Sequence, residues 1–201
     1  MKKYLIEFIG AFFLVLTIAL TGNPIPIGFV LAALVYMGGY ISGGHYNPAV
    51  TLAMLLTKNI KLPTALIYML VQLAGGIVAA LVYSYVHAGK FIPAMATNAT
   101  MSQAILLETL FTFLLCSVVL HVAVAKETKG NSYFGLAIGL TVMVGAFAAG
   151  PISGGAFNPA VGVGPLLADI SNISAHTSSL LLYLIGPFLG SIIAAFIYKL
   201  K

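Results

Sequence analysis

The chain has 201 residues, of which 61% are hydrophobic and only 6% are charged. Because a soluble domain carries about 25% charged residues, this composition excludes an ordinary soluble domain and predicts an integral membrane protein. The formal net charge of +5 would suit a nucleic-acid-binding protein, but the lysines stand singly or in pairs at the ends of apolar segments, so nothing supports nucleic acid as a partner. The one cysteine, Cys116, lies inside an apolar run, so the chain has no disulfide framework.

Six apolar segments are long enough to cross the hydrocarbon core of a bilayer, which is about 30 Å thick. In chain order they lie at about residues 4–20, 27–41, 63–86, 103–125, 133–149 and 178–198. The first follows two lysines, as in a signal peptide, but no polar cleavage region comes after it, and we expect it to remain as a membrane helix. The sequence therefore predicts an all-α membrane protein with six transmembrane helices.

One stretch occurs twice, after the second predicted span and again after the fifth. Its copies are SGGHYNPAVTLAMLL at residues 42–56 and SGGAFNPAVGVGPLL at residues 153–167. Each copy has a glycine-rich approach, an asparagine that suits a helix N-cap and a proline that suits the first helical turn. The apolar helix that follows has about ten residues and a length of about 15 Å, which is half of the membrane. We therefore expect two re-entrant half-helices, over residues 47–56 and 158–167.

The order of span, span, half-helix and span occurs twice, at approximately residues 1–90 and 100–201. Three full spans per repeat start the second repeat on the opposite side of the membrane, so we expect two inverted repeats within a single domain, 1–201. Positive charge collects in short cytoplasmic loops, and this predicts that both termini are cytoplasmic. Only Lys90 is then outside, and the cytoplasmic lysines are Lys2, Lys3, Lys58, Lys61, Lys126, Lys129, Lys199 and Lys201.

Both asparagines, Asn47 and Asn158, are expected to meet near the membrane midplane. The non-helical backbone that approaches them cannot face lipid, so it must be buried in protein or line a wet cavity, which indicates a pore. We expect each asparagine to cap its half-helix with the side-chain oxygen and to keep its amide group free to donate to a passing solute. The two helix N-termini carry about half a positive charge each, which disfavours cations but not neutral molecules.

The paired NPA motifs, the six spans and a glutamate in the first and fourth spans resemble the aquaporin (major intrinsic protein) family over essentially the whole chain. The motif residues are Asn47, Pro48, Ala49, Asn158, Pro159 and Ala160. The resemblance implies a passive channel that assembles as a homotetramer with one pore in each subunit. We find no nucleophile–base pair, metal-ligand cluster or phosphate loop, so we expect neither an enzyme nor a cofactor or metal site.

Six further positions outside these motifs, two glutamates and four histidines, are candidate site residues or surface groups. The resemblance implies that Glu7 and Glu108 hold the polar backbone of the half-helix loops, and we favour this scaffold role over proton transfer. His45 is equally consistent with a pore-lining donor and with a histidine packed against loop backbone. The other histidines, at the predicted helix ends, are expected at a solvated surface: His87, His121 and His176.

The substrate filter is where the sequence departs from the family. Water-selective members carry an arginine directly after the second NPA motif, but this chain has Val161 there and no arginine anywhere. Counting back from the two motifs, as the resemblance implies, gives a filter of Ile27, Ala146, Gly155 and Val161. We expect this constriction to be wider and more apolar than that of a strict water channel.

The sequence thus predicts a passive channel, in the cell membrane, for water and/or a small uncharged solute such as ammonia, hydrogen peroxide, urea or a short polyol. Two alternatives stay open. A secondary transporter can also be built from inverted repeats with broken helices, although no aspartate lies in a predicted span. A membrane protein of the same fold could instead have a closed lumen, since an apolar constriction can exclude water.

Overall fold

The computed structural model describes residues 1–200, and the secondary structure within them is helical, without strands. The first half of the chain forms α1 (Lys2–Thr21), α2 (Pro24–Ser42), α3 (Pro48–Leu56) and α4 (Leu62–His87). The second half forms α5 (Met101–Val119), α6 (Phe134–Ser153), α7 (Pro159–Gly162), α8 (Gly164–Ala168) and α9 (Thr177–Tyr198). A π turn at Leu120–Val124 extends α5, and 3-10 turns lie at Lys126–Thr128 and Ile170–His176.

Within residues 1–200, six helical segments are long and apolar enough to cross a membrane, with mean hydropathy between 1.8 and 2.3. They comprise α1, α2, α4, α5 with its π turn, α6, and α9 with the 3-10 turn before it. Large apolar side chains on their outward faces are more than half exposed, such as Leu70, Tyr85 and Phe196. An apolar exterior of this kind suits contact with lipid rather than water, and the prediction of six transmembrane helices is confirmed.

The second half-length helix covers Pro159–Ala168, close to the predicted residues 158–167, and has one local irregularity. It consists of α7 and α8, separated by Val163, whose φ of −99° and ψ of −38° deviate only slightly from helical values. The cause is Pro165, which has no N–H to donate to the carbonyl of Val161 and whose ring crowds that carbonyl. In the first repeat, α3 has no proline beyond its first residue and is continuous.

The long helices form pairs that are equivalent in the two halves of the chain. α1 packs along α4, α5 packs along α9, and α2 crosses α6 between the two pairs. At this crossing, a Cβ atom on Gly28 or on Gly139 would overlap the backbone carbonyl oxygen of the other glycine. Glycine at both positions therefore allows the two helices to approach closely. Inside this frame, α3 and α7 contact both α4 and α9, and α8 contacts α4.

Contacts between helix ends define two opposite faces of the bundle. Lys3 Nζ lies 3.4 Å from Thr64 Oγ1, which joins the starts of α1 and α4. The ring of His121, after α5, packs edge-on against Tyr198 at the end of α9. We call this side the termini face. The opposite side, the distal face, contains the end of α4 and the connection from α8 to α9.

Candidate functional site

The half-helices α3 and α7 begin in the interior of the molecule, where asparagines cap them. Asn47 Oδ1 accepts a hydrogen bond from Ala49 N at 2.8 Å, and Asn158 Oδ1 accepts one from Ala160 N at 2.8 Å. Both asparagines are buried, with extended backbone typical of an N-cap. The residues that open the two helices are Pro48 and Pro159.

The two asparagines also connect the repeats to each other. Asn47 Nδ2 donates to the carbonyl oxygen of Phe157 at 2.9 Å, and Asn158 Nδ2 donates to that of Tyr46 at 3.0 Å. The expectation that their amide groups are free therefore needs correction. Since an amide nitrogen carries two protons, each asparagine keeps one proton for a further partner.

The loops that approach the asparagines contain left-handed backbone at matching positions. In the first loop φ is +97° at Gly43, +64° at Gly44 and +51° at Tyr46. In the second loop the corresponding values are +90° at Gly154, +64° at Gly155 and +49° at Phe157. Glycine adopts this conformation readily, whereas a bulky residue does so only where its surroundings enforce it.

Two fully buried glutamates supply those surroundings. Glu7 Oε1 accepts from Ser42 Oγ at 2.6 Å and from His45 N at 3.0 Å, and Oε2 accepts from Tyr46 N at 2.7 Å. The equivalent donors to Glu108 are Ser153 Oγ at 2.8 Å, Ala156 N at 3.0 Å and Phe157 N at 2.7 Å. These contacts favour the scaffold interpretation of Glu7 and Glu108, because both carboxylates are engaged with the loop backbone.

A side-chain network in the first repeat has no equivalent in the second. Gln72 Nε2 donates to Glu7 Oε2 at 2.7 Å and lies 3.0 Å from Thr51 Oγ1, which in turn lies 3.1 Å from His45 Nδ1. The ring of His45 is buried and packs edge-on against Tyr68. The second repeat has Ala156 and Gly162 in place of His45 and Thr51, so it cannot form the network.

A cavity of about 500 Å³ contains both asparagines in its wall. It extends from Pro24, where α2 begins near the distal face, to Val119, where α5 ends near the termini face. The four predicted filter residues also line it: Ile27, Ala146, Gly155 and Val161. His45 borders it as well, so the packed and the pore-lining interpretations of this residue are compatible. Most other side chains in the wall are apolar, including Leu31, Val50, Leu115, Ile138 and Val142.

Sequence reasoning missed one part of this wall. Residues 91–94, which we call the mouth segment, line the cavity in the connection between α4 and α5. The segment has no regular secondary structure and matches no motif. Its composition could have indicated this position. Loops between helices are usually polar, whereas Phe-Ile-Pro-Ala is apolar and suits a buried wall.

A polar cluster on the distal face corrects the expected position of His176. Asp169 Oδ1 accepts from Lys90 Nζ at 2.7 Å and from Asn172 Nδ2 at 2.9 Å, and Oδ2 lies 3.0 Å from His176 Nε2. The His176 side chain is only 13% exposed, so it is not simply solvated. These hydrogen bonds, that of Lys90 foremost, hold the pKa of the Asp169 carboxyl well below its usual range.

Among residues 1–200, no group of three or more His, Cys, Asp and Glu side chains is arranged to hold a metal ion.

Comparison with known proteins places the chain among membrane channels of one family. A sequence profile described as Major intrinsic protein matches residues 1–198. The glycerol uptake facilitator protein-like 6 of Lactiplantibacillus plantarum is 36% identical, over 98% of this chain and 96% of its own length. Nodulin-26 of Glycine max is 32% identical, over 100% of this chain and 78% of its own length.

A solved structure has the same fold. The aquaglyceroporin from Plasmodium falciparum matches with a TM-score of 0.79 and 19% sequence identity, over 98% of this chain and 94% of that chain. The profile match covers nearly every residue, and the relatives exceed 30% identity along the whole chain. The chain therefore belongs to the major intrinsic protein family.

Proposed function

We propose that this protein is a passive channel that conducts water and small uncharged solutes through the cavity lined by Asn47 and Asn158. The observation that carries the proposal is the composition of that cavity, in which the amides of Asn47 and Asn158 and the ring of His45 are the polar side chains within an otherwise apolar wall. The relatives are named as glycerol uptake facilitator-like and aquaporin proteins, which supports the same class of solute.

Ion exclusion follows from the helix ends. The N-terminus of α3 and that of α7 both point at the asparagine pair, and each contributes about half a positive charge there. A cation would have to lose its water shell next to these charges, whereas a neutral molecule accepts hydrogen bonds from the remaining amide protons of Asn47 and Asn158. The cavity therefore favours neutral solutes with at least one hydrogen-bond acceptor.

The proposed filter of Ile27, Ala146, Gly155 and Val161 sorts solutes by size rather than by charge. None of these side chains is ionisable, and the chain has no arginine that could supply a fixed charge or its five donors. Ala146 and Gly155 leave room that larger side chains would fill. The candidate solutes besides water are therefore ammonia, hydrogen peroxide, urea and short polyols.

Stopped-flow light scattering on proteoliposomes tests this function. We expect osmotic water permeability above that of empty liposomes, together with flux of at least one of the uncharged solutes and no conductance of Na⁺ or K⁺. Water and solute permeabilities that both equal those of empty liposomes would contradict the proposal and favour the closed form of the fold. Uptake against a gradient that saturates and requires an ion would favour a secondary transporter.

Substitutions at Val161 test the filter itself. We expect Val161→Arg to reduce the flux of urea and glycerol by about tenfold while water conduction persists, because the guanidinium narrows the constriction and adds donors. Val161→Leu is the matched control, since it adds volume without charge. Solute flux that does not change in Val161→Arg would place the filter elsewhere in the cavity.

For assembly and location, we propose a homotetramer in the cell membrane with both termini in the cytoplasm. The support is the family, together with a lysine distribution that puts every lysine except Lys90 on the termini side of the predicted topology. Chemical cross-linking in native membranes followed by electrophoresis should give a ladder that ends at four subunits. A ladder that ends at one or two subunits would contradict the tetramer.

A further inference from the structure

We infer that the ion pair between Lys90 and Asp169 is a clasp that fixes the mouth segment in the cavity wall, so that this clasp helps to determine which solutes enter. The inference rests on the proposed channel function and goes beyond the filter described above. It concerns a connection without secondary structure, residues 88–100, and the turn that follows α8.

The mouth segment forms wall that no helix supplies. Phe91, Ile92, Pro93 and Ala94 border the same cavity as the four filter residues. Pro93 is buried and Phe91 is half-buried, so the segment is seated in the protein rather than extended into solvent. With small residues at Ala146 and Gly155, the width of this end of the cavity depends on where the segment lies.

The segment is anchored on its α6 side by backbone contacts. Ala96 N donates to the carbonyl oxygen of Ile152 at 2.9 Å. A Cβ atom at Gly154 would lie 2.8 Å from the carbonyl oxygen of Ala94, which is closer than real Cβ contacts, so the loop backbone rests directly on the end of α6. The first contact lies just after the mouth segment, at Ala96, and the second is made by Ala94, the last residue of the segment. Both therefore fix only its C-terminal end.

The clasp is the charged contact on the other side of the segment. Lys90 directly precedes Phe91 and is the one charged residue between positions 88 and 100. Its Nζ atom lies 2.7 Å from Asp169 Oδ1, 79 residues further along the chain. The ring of Phe91 also contacts that of Tyr83 on α4, with centroids 6.1 Å apart, so the N-terminal end of the mouth segment has a second contact.

The geometry of Asp169 distinguishes this pair from an ordinary surface salt bridge. The Asp169 side chain is only 8% exposed, whereas that of Lys90 is 55% exposed. Asn172 Nδ2 donates to the same oxygen, Oδ1, at 2.9 Å, and His176 Nε2 lies 3.0 Å from Oδ2, so the carboxylate is held in place by two contacts besides the one with Lys90. A charge-assisted hydrogen bond to a shielded and preorganised acceptor is stronger than a contact between two freely moving side chains.

Two measurements on the same variants test the clasp. Lys90→Met removes the charge with similar side-chain length, Asp169→Asn removes the opposite charge, and Lys90→Arg keeps the charged contact. Lys129→Met, at an exposed lysine on the termini face, is the matched control. Hydrogen exchange of the peptide that covers residues 91–98 reports the position of the loop, and proteoliposome assays report the ratio of glycerol to water permeability.

We expect Lys90→Met and Asp169→Asn to accelerate exchange in this peptide about fivefold, because one charge-assisted hydrogen bond is lost. We expect the glycerol-to-water ratio to change by about twofold or more in the same direction in both variants. Lys90→Arg and Lys129→Met should leave both quantities near those of the unmodified protein.

Unchanged exchange in both variants would overturn the clasp. Faster exchange with an unchanged permeability ratio would overturn its role in solute choice. The water permeability of the unmodified protein is measured in the same series. If the unmodified protein does not conduct water, the proposed channel function is contradicted, and so is the role of the clasp in solute choice. The exchange result would then still decide whether Lys90 and Asp169 hold the loop.

Discussion

Single buried side chains in this protein accept hydrogen bonds from backbone N–H groups that have no partner in a helix. Glu7 and Glu108 accept hydrogen bonds from consecutive N–H groups in the two approach loops, which carry no helical hydrogen bonds of their own. In a membrane interior no water replaces a lost acceptor, so each of these N–H groups needs a protein partner. This accounts for two fully buried carboxylates in a bundle whose buried side chains are mostly apolar.

Glu7→Gln and Glu108→Gln should each lower the free energy of unfolding by about 1–3 kcal/mol, the cost of an unsatisfied buried donor. The two oxygens of each glutamate accept from different backbone N–H groups. Glutamine replaces one of these oxygens by an NH₂ group, which cannot accept, so one backbone N–H loses its partner in either orientation of the amide. Thermal unfolding in detergent measures the effect. Glu127→Gln, at an exposed position, is the control, and equal stability of all three variants would contradict the scaffold role.

Asp169 gives a second prediction at the level of one residue. Its pKa lies below the usual value of about 3.9, so its stabilising contacts are fully present above that value and are lost as the pH falls through the lower pKa of the folded state. A spin label at Thr97→Cys, an exposed loop position, should therefore show constant mobility from pH 8 to about pH 5. Mobility should rise only well below about pH 4.

A rise in mobility between pH 7 and pH 5 would show that another group controls the loop. Cys116 is fully buried, so it should not compete for the label. In Asp169→Asn the label should be more mobile throughout, without the transition at low pH.

At the level of helices, the two repeats fill equivalent space with different residues. The first repeat has Thr51 on α3 and Gln72 on α4, which bind each other. At the equivalent places the second repeat has Gly162 and Tyr183, and a Cβ atom on Gly162 would overlap the Tyr183 ring. The hydroxyl of Tyr183 donates to the carbonyl oxygen of Ser153 at 2.9 Å, so the ring both fills the space and holds the loop.

Gly162→Thr should therefore be destabilising by about 1–3 kcal/mol, because it overpacks this contact. Adding Tyr183→Gln should recover part of the loss by recreating the pair found in the first repeat. Melting temperatures in detergent measure both effects. Gly150→Ala is the control, since nothing lies within 4 Å of its added Cβ, and a Gly162→Thr variant as stable as the control would contradict this account.

For the whole molecule, the orientation in the membrane is open to a direct test. The predicted topology puts Lys129 on the cytoplasmic side and Ala175 on the outer side, and both residues are exposed. In intact cells, a membrane-impermeant maleimide should label Ala175→Cys but should label Lys129→Cys only after permeabilisation. The reverse pattern would invert the topology and overturn the inference from the lysines.

Much of this architecture could be predicted from the sequence because it depends on local patterns. Apolar segments of sufficient length predict spans wherever they occur, and Asn-Pro pairs predict helix starts from the backbone geometry of two residues. Even the irregularity at Val163 could be predicted from the sequence, since Pro165 has no N–H for a helical hydrogen bond. The repeat of the whole pattern then predicted the inverted halves.

Other features were decided only in three dimensions. The bonds from Asn47 to Phe157 and from Asn158 to Tyr46 join residues more than a hundred positions apart, and no local pattern shows which amide proton is used. The mouth segment is an ordinary apolar loop until α6 and Asp169 hold it against the cavity.

The sequence by itself thus determined the number, order and starting points of the helices, because these depend on hydropathy and capping within a few residues. The tertiary structure decided which polar groups remain free in the cavity and which loop closes its wall. Those properties depend on distances between segments remote in the chain, and they exist only once the helices have packed.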